Sequence, residues 1–224
     1  MVFLHGYLSS KEAFASQIEY FSKFFRVTAI DLLGFGQSPR LKEPYSVTDY
    51  AEWTAAALNS LGVVRPCLIA HSFGCRVGIK LESLHQGFFE KMLLTGAAGV
   101  ILPRPLSYYC KVKAYRLLKK IAPKFAERNF GSAEYRSLSP VMKESYKKIV
   151  NEDLRGDARK ITCRVLLVTG AEDRVTPRKE ADAYLACLAR GGLKIMQGGH
   201  FAFAEYPLAF NLIAEEFLIN GRIV

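Results

Sequence analysis

The sequence has no run of roughly eighteen apolar residues, so no segment is expected to cross a bilayer as a helix. Its start, Met1-Val2-Phe3-Leu4-His5-Gly6, lacks a basic stretch followed by a long apolar one, so no secretory signal is expected there. None of the five cysteines (Cys67, Cys75, Cys110, Cys163, Cys187) stands at C-x-x-C spacing from another, and the four histidines show no metal-ligand spacing. No metal site is expected. Odd, widely spaced cysteines fit reduced thiols in a cytoplasmic protein. Internal repeats and low-complexity tracts are missing too. Low hydrophobicity is not among the absences: 50% hydrophobic and 23% charged residues exclude an intrinsically disordered chain. At 224 residues the chain forms one large domain or two small ones, with a core that needs no disulfide.

Acidic residues are scarce in one segment. Residues Ile101 to Lys160 hold 15 of the 31 Lys and Arg but only 6 of the 21 Asp and Glu. Nearly all of the net charge of +10 therefore sits in this stretch, which suggests a module with its own task.

Elsewhere short apolar runs alternate with helical patterns. Strands are predicted at Met1–Leu4, Arg26–Ile30, Cys67–Ala70, Lys91–Thr95, Arg164–Thr169 and Leu193–Met196. Their continuous apolar character suits a parallel sheet covered on both faces. Helices are predicted at Lys11–Phe25, Ser46–Leu61 with Ser46 as N-cap, Phe73–Leu84, Pro177–Leu188 and Pro207–Leu218, the last two with Pro in the first turn. The alternation implies an α/β fold. It breaks between about Gly99 and Lys160, where Leu106, Tyr109, Val112, Leu118 and Ile121 recur at helical spacing and prolines punctuate the chain. This reads as a helical insertion at 99–160 within a core of 1–98 and 161–224.

Open α/β sheets place ligands beyond the carboxyl ends of their strands. The third strand leads into Ala70-His71-Ser72-Phe73-Gly74, a strand–Ser–helix layout in which small residues allow a sharp turn. Such a turn lifts the Ser72 hydroxyl above the sheet and aims the Phe73 N–H at the same point. An N-capping serine gives the same local pattern. The fifth strand leads into Gly170-Ala171-Glu172-Asp173-Arg174-Val175-Thr176-Pro177, and the sixth into Gly198-Gly199-His200-Phe201. Asp173 alone reads equally as a helix cap, and His200 as a packed loop residue. Ser72, Asp173 and His200 together, in that order at three strand ends, point to a nucleophile–acid–base triad, with Glu172 as an alternative acid. The first strand ends in Leu4-His5-Gly6-Tyr7, whose turn would offer the Tyr7 N–H as a second oxyanion donor. His5 reads as a brace for that turn or a contributor to the pocket. Asp31 and the glycines after the second strand lack G-x-G-x-x-G spacing, so Asp31 reads as a loop organiser, not part of a nucleotide site.

These pieces resemble the α/β-hydrolase superfamily: L-H-G-Y, D-x-x-G-x-G-x-S, A-H-S-F-G, G-A-E-D-R-V-T-P and G-G-H-F-A-F-A-E-Y-P, spread from Val2 to the last helix. The resemblance implies a mostly parallel sheet flanked by helices, a serine triad, and a helical cap at 99–160. It also implies two strands ahead of the one ending at His5-Gly6, whereas this chain begins inside that strand. Either the reading frame is truncated or the protein works with a six-stranded sheet, in which Arg26–Ile30 is expected at an exposed edge, a cause of homodimerisation or poor solubility. Ala70 stands where the motif usually has Gly.

The implied activity is that of a cofactor-free, carboxylesterase-like serine hydrolase acting on a small-molecule acyl substrate. Cap residues Tyr108 and Tyr109, with Leu106, Val112 and Tyr115, would line an apolar acyl pocket, and Phe201 would flank it. Serine at the elbow argues against haloalkane dehalogenases, which use aspartate there. Carbon–carbon bond hydrolases of ring-cleavage products remain an alternative, although His71 and Phe201 replace their usual Asn and Trp. A non-catalytic binding protein on the same scaffold is a further alternative. The basic insertion carries no recognised nucleic-acid motif, so nucleic-acid binding is not expected, while an anionic surface or substrate stays open.

Overall fold

Six short apolar runs build one sheet in the computed structural model, which describes residues 1–103 and 133–221. The strands are β1 (Val2–Leu4), β2 (Thr28–Ile30), β3 (Leu68–His71), β4 (Lys91–Thr95), β5 (Arg164–Gly170) and β6 (Gly191–Met196). Their order is β2-β1-β3-β4-β5-β6, and every neighbouring pair is parallel. Expected to be mostly parallel, the sheet is wholly so. β2 lies at one edge.

Side chains alternate across a strand, so each run supplies two cores. Val2, Leu4, Leu68, Ala70, Met92, Leu94, Val165 and Leu167 face one side and pack with Tyr50, Leu58, Val77 and Leu81. Those four come from α2 (Val47–Ser60) and α3 (Phe73–Leu84). Phe3, Ile69, Leu93, Leu166 and Val168 face the other side, against Phe14, Phe21, Phe203, Phe210 and Phe217. There the helices are α1 (Ala15–Phe21), α8 (Ala202–Glu205) and α9 (Pro207–Leu218). In the four inner strands, β1, β3, β4 and β5, burial on both faces explains the unbroken apolar runs, while β2 and β6 at the edges are only partly covered.

Between β4 and β5 lie α4 (Ala133–Ser137), α5 (Pro140–Val150) and α6 (Arg155–Ala158), and α7 (Arg178–Leu185) follows β5. Leu106, Tyr108, Tyr109, Cys110, Val112 and Tyr115 lie outside the described residues. Lys80 on α3 reaches Glu152 and Asp157 at 2.8 Å each, tying the end of this segment to the core.

Ser46 caps α2 as expected, and Asp49 completes a reciprocal capping box. Two helices are shorter than predicted. The Lys11–Phe25 segment opens as a 3-10 turn (Lys11–Phe14), and its α-helix ends at Phe21. Asp31 accepts the Lys11 N–H at 2.8 Å, which pins the first turn. Pro177 stands before α7 in extended conformation, as its N-cap rather than in its first turn.

Strand order also locates a crevice. β1 lies between β2 and β3, so the chain crosses over β1 after completing β2. The winding direction switches between β1 and β3, where open α/β sheets bind ligands. No helix of the described residues is long and apolar enough to cross a membrane.

Candidate active site

The carboxyl ends of β1 and β3 form one wall of the site. Ser72 follows β3 directly and holds φ 49° and ψ −105°, a left-handed backbone that costs a non-glycine residue free energy. The turn is tight because α3 starts against β1. A Cβ on Gly74 would stand 2.2 Å from the Leu4 carbonyl oxygen, so no larger residue fits. Ala70 is fully buried opposite Leu4, with no room problem of its own. Gly6 packs onto the elbow from the β1 side, where an added Cβ would lie 2.9 Å from His71 Nδ1. Tyr7 and Phe73 line the same cavity as Ser72, and the hydrogen bonds of the described residues include none from either N–H.

His5 is fully buried. Its Nδ1 lies 2.7 Å from the Gly6 carbonyl, and its Nε2 accepts the Leu32 N–H at 3.0 Å. Both ring nitrogens serve the turn, so His5 braces the β1 loop and is not a wall of the cavity. Burial lowers its pKa, which suits a neutral ring with Nδ1–H as donor. Asp31 organises the neighbouring loop, accepting the Gln37 N–H at 3.0 Å and the Lys11 ammonium at 3.1 Å.

The opposite wall comes from the loops after β5 and β6. Gly170 lets their backbones touch: a Cβ there would stand 2.2 Å from the Gly199 oxygen. Asp173 Oδ1 accepts the Val175 and Thr176 N–H groups at 2.8 and 2.9 Å. Its Oδ2 lies 2.9 Å from His200 Nδ1 and accepts the Thr176 hydroxyl at 2.8 Å. Asp173 thus closes its own turn and holds the imidazole at once. Burial alone would raise its pKa, but the bonds from His200 and Thr176 outweigh it and hold the carboxyl down to about 2. Glu172 points to solvent, and Asp173 is the acid that meets His200.

His71, whose position sequence reasoning used only for family comparison, holds the backbone of that same loop. Its Nε2 lies 3.0 Å from the His200 carbonyl oxygen, which makes Nε2 the protonated nitrogen. Its ring stacks among His200, Phe201 and Phe203 at 4.7–4.9 Å. Burial, with the His200 ring beside it, pushes its pKa down to about 3, so the ring is neutral at ordinary pH.

Ser72, His200, Tyr7, Phe73 and Phe201 share a cavity of about 600 Å³. Ser72 Oγ makes no hydrogen bond among those of the described residues. Apolar walls come from Val100, Ile101, Leu102, Leu138 and Ile149, with Tyr135 and Tyr146 beside them. Tyr7 packs its ring on Phe35, Phe73 and Tyr146, with centroids 4.9–5.5 Å apart. Two charged residues of the lining, Arg76 and Glu180, were not foreseen. The signal available was Arg76 one turn after Ser72 on an otherwise buried helix. No group of three or more His, Cys, Asp or Glu able to hold a metal occurs among the described residues.

A sequence model described as the alpha/beta hydrolase fold matches residues 1–155. The chain is 25% identical to the AB hydrolase superfamily protein YisY of Bacillus subtilis (strain 168), across 97% of this chain and 90% of that protein. Among solved structures it is similar to an esterase (EaEST) from Exiguobacterium antarcticum, with TM-score 0.75 and 21% identity over 94% of this chain and 88% of that one. It is also similar to the meta-cleavage product hydrolase (CumD) from Pseudomonas fluorescens IP01, with TM-score 0.75 and 20% identity over 99% and 90% of the two chains. At these identities the structural likeness is one of fold.

Proposed function

Given that the chain belongs to the α/β-hydrolase fold family, we propose that it is a serine hydrolase that cleaves a carboxylic ester through an acyl-enzyme on Ser72. The observation that carries this reading is the 2.9 Å bond from Asp173 to His200, facing a cavity that also holds the strained Ser72 turn. In the first step Ser72 Oγ attacks the acyl carbon while His200 Nε2 takes its proton. Asp173 keeps the imidazole in the Nδ1–H tautomer and stabilises the imidazolium. The unbonded Tyr7 and Phe73 N–H groups receive the oxyanion, each worth roughly 3 kcal/mol if it acts as such donors do. His200 then gives the proton to the departing alkoxide. Water repeats the sequence on the acyl-enzyme and releases the carboxylic acid. Oγ and Nε2 come into hydrogen-bond contact on substrate binding, as catalytic bonds that are loose in the free enzyme commonly do.

Residues 99–160 act as the cap of this site, supported by the apolar wall that Ile101, Leu102, Leu138 and Ile149 supply. The substrate is a small molecule with an apolar acyl chain. The free thiols of Cys67, Cys75, Cys163 and Cys187 fit work in the cytoplasm. Among the described residues β2 pairs on one side only, and a homodimer joined through that edge is expected, to be checked by light scattering.

A fluorophosphonate probe tests the chemistry. It is expected to label the native protein and not Ser72→Ala, and Ser72→Ala is expected to lose at least about a thousandfold in ester turnover. Equal labelling of both removes Ser72 as nucleophile. Turnover of vinylogous diketones without turnover of simple esters would replace ester cleavage with carbon–carbon bond hydrolysis.

A further inference from the structure

Arg76 is the unexplained charge of this cavity. It sits one turn after Ser72 on α3, lines the cavity, and is only 8% exposed. A buried guanidinium is costly unless a carboxylate meets it. Among the described residues no carboxylate stands within ion-pair distance of Arg76. The side chain of Glu152 is taken by Lys80 at 2.8 Å. Glu180 shares the cavity but makes no ion pair with Arg76, and burial pushes its carboxyl up to about 7 in spite of that cation.

Part of the guanidinium has a structural task. Nη1 donates to the carbonyls of Ile149 and Glu152, at 2.8 and 2.9 Å, where α5 ends. The negative end of that helix offsets some of the charge. Nε and Nη2 have no hydrogen-bond partner among the described residues, and neither is a sealed, unpaired buried atom. Together they form the edge of the fork that binds a planar carboxylate through two parallel bonds. Nη1 is anchored, so that edge is held in place before any ligand arrives.

We propose that Arg76 binds a carboxylate of the substrate, so that the hydrolysed acyl group is an apolar chain ending in a second, anionic carboxyl, as in the monoester of a dicarboxylic acid. This deepens the serine-hydrolase reading and rests on it. The apolar walls hold the chain, Ser72 attacks the ester carbonyl at one end, and the Nε–Nη2 edge fixes the other. Arg76 contributes through binding and orientation and takes no proton. A neutral ester of the same length leaves that edge unpaired, so discrimination should fall mainly in KM.

The test compares p-nitrophenyl 4-carboxybutanoate with its uncharged isostere, p-nitrophenyl 4-carbamoylbutanoate. The native enzyme is expected to favour the acid by roughly tenfold or more in kcat/KM, the effect of a well-placed charge-assisted pair. Arg76→Gln is expected to abolish that ratio and Arg76→Lys to retain part of it. Because Nη1 also anchors α5, a second measurement uses the native protein alone. Glutarate is expected to slow fluorophosphonate labelling competitively, and the uncharged diamide glutaramide at equal concentration is not. Labelling and neutral-ester turnover with no preference for the acid, or a preference undiminished in Arg76→Gln, overturns the Arg76 subsite and leaves the serine hydrolase standing. No labelling and no turnover overturns both.

Discussion

His71 and Glu180 carry opposite pH dependences into the same cavity. Folded His71 resists protonation down to about 3, whereas the unfolded ring takes a proton near 6.5. The unfolded chain therefore binds more protons over that span, and this residue removes stability as pH falls through it. Glu180 does the reverse, since burial holds its proton up to about 7 in the fold against 4.5 when unfolded. It removes stability as pH rises from 4.5 towards 7. Between those values the two contributions oppose each other. Relative to the native protein, urea unfolding from pH 4.5 to 6.5 should show stability rising less steeply with pH in His71→Gln. It should rise more steeply in Glu180→Gln. Native slopes in both variants would remove this account. Neither residue's part was legible in the sequence, where His71 is one letter of a motif and Glu180 one letter of a polar helix. Ser72, Asp173 and His200 were legible because each sits in a turn whose neighbours are dictated locally: glycines where backbones touch, and a Thr that closes the Asp turn.

Elements meet at glycines, and the demand differs from one to the next. Gly74 opens α3 with its Cα against the Leu4 carbonyl, and the atom it would strike belongs to the backbone of a central strand. Gly74→Ala is expected to cost on the order of 2–3 kcal/mol or more and to displace the Ser72 turn, lowering activity with stability. Gly156, within α6, has nothing within 4 Å of its would-be Cβ. Gly156→Ala should be neutral, or stabilising by up to about 1 kcal/mol from helix propensity. Denaturant midpoints for the pair check both, and equal shifts would discard the close-approach argument. The same level shows where periodicity misleads. Phe14, Ile18, Phe21 and Phe25 read as one helical stripe, yet the chain leaves the helix after Phe21. Ser22 Oγ bonds back to the Ile18 carbonyl there, and Phe25 reaches the core from a turn instead.

Across the whole molecule, α3 joins chemistry to the segment that walls the cavity. Ser72 precedes its first turn, Arg76 anchors the end of α5, and Lys80 with Ser83 holds Asp157 on α6, at 2.8 and 2.9 Å. Burial alone would lower the Lys80 pKa, but Asp157 and Glu152 raise it, so the ammonium stays charged. Lys80→Ala leaves two half-buried carboxylates uncompensated and is expected to cost about 3 kcal/mol. Lys80→Met combined with Asp157→Leu and Glu152→Gln should recover much of that loss. A Lys80→Ala protein within about 0.5 kcal/mol of native in urea unfolding would mean the network is only a solvated surface pair. The sequence by itself determined the α/β class, all six strands to within two residues at each end, and the turns that carry Ser72, Asp173 and His200. These depend on local patterning and turn chemistry, which neighbouring residues encode. Tertiary structure decided that Asp173 and not Glu172 meets His200, that His5 faces its own turn, and that Arg76 and Glu180 share the cavity. Those outcomes depend on how separate elements pack, and contacts between residues far apart in the chain leave no periodic trace in it.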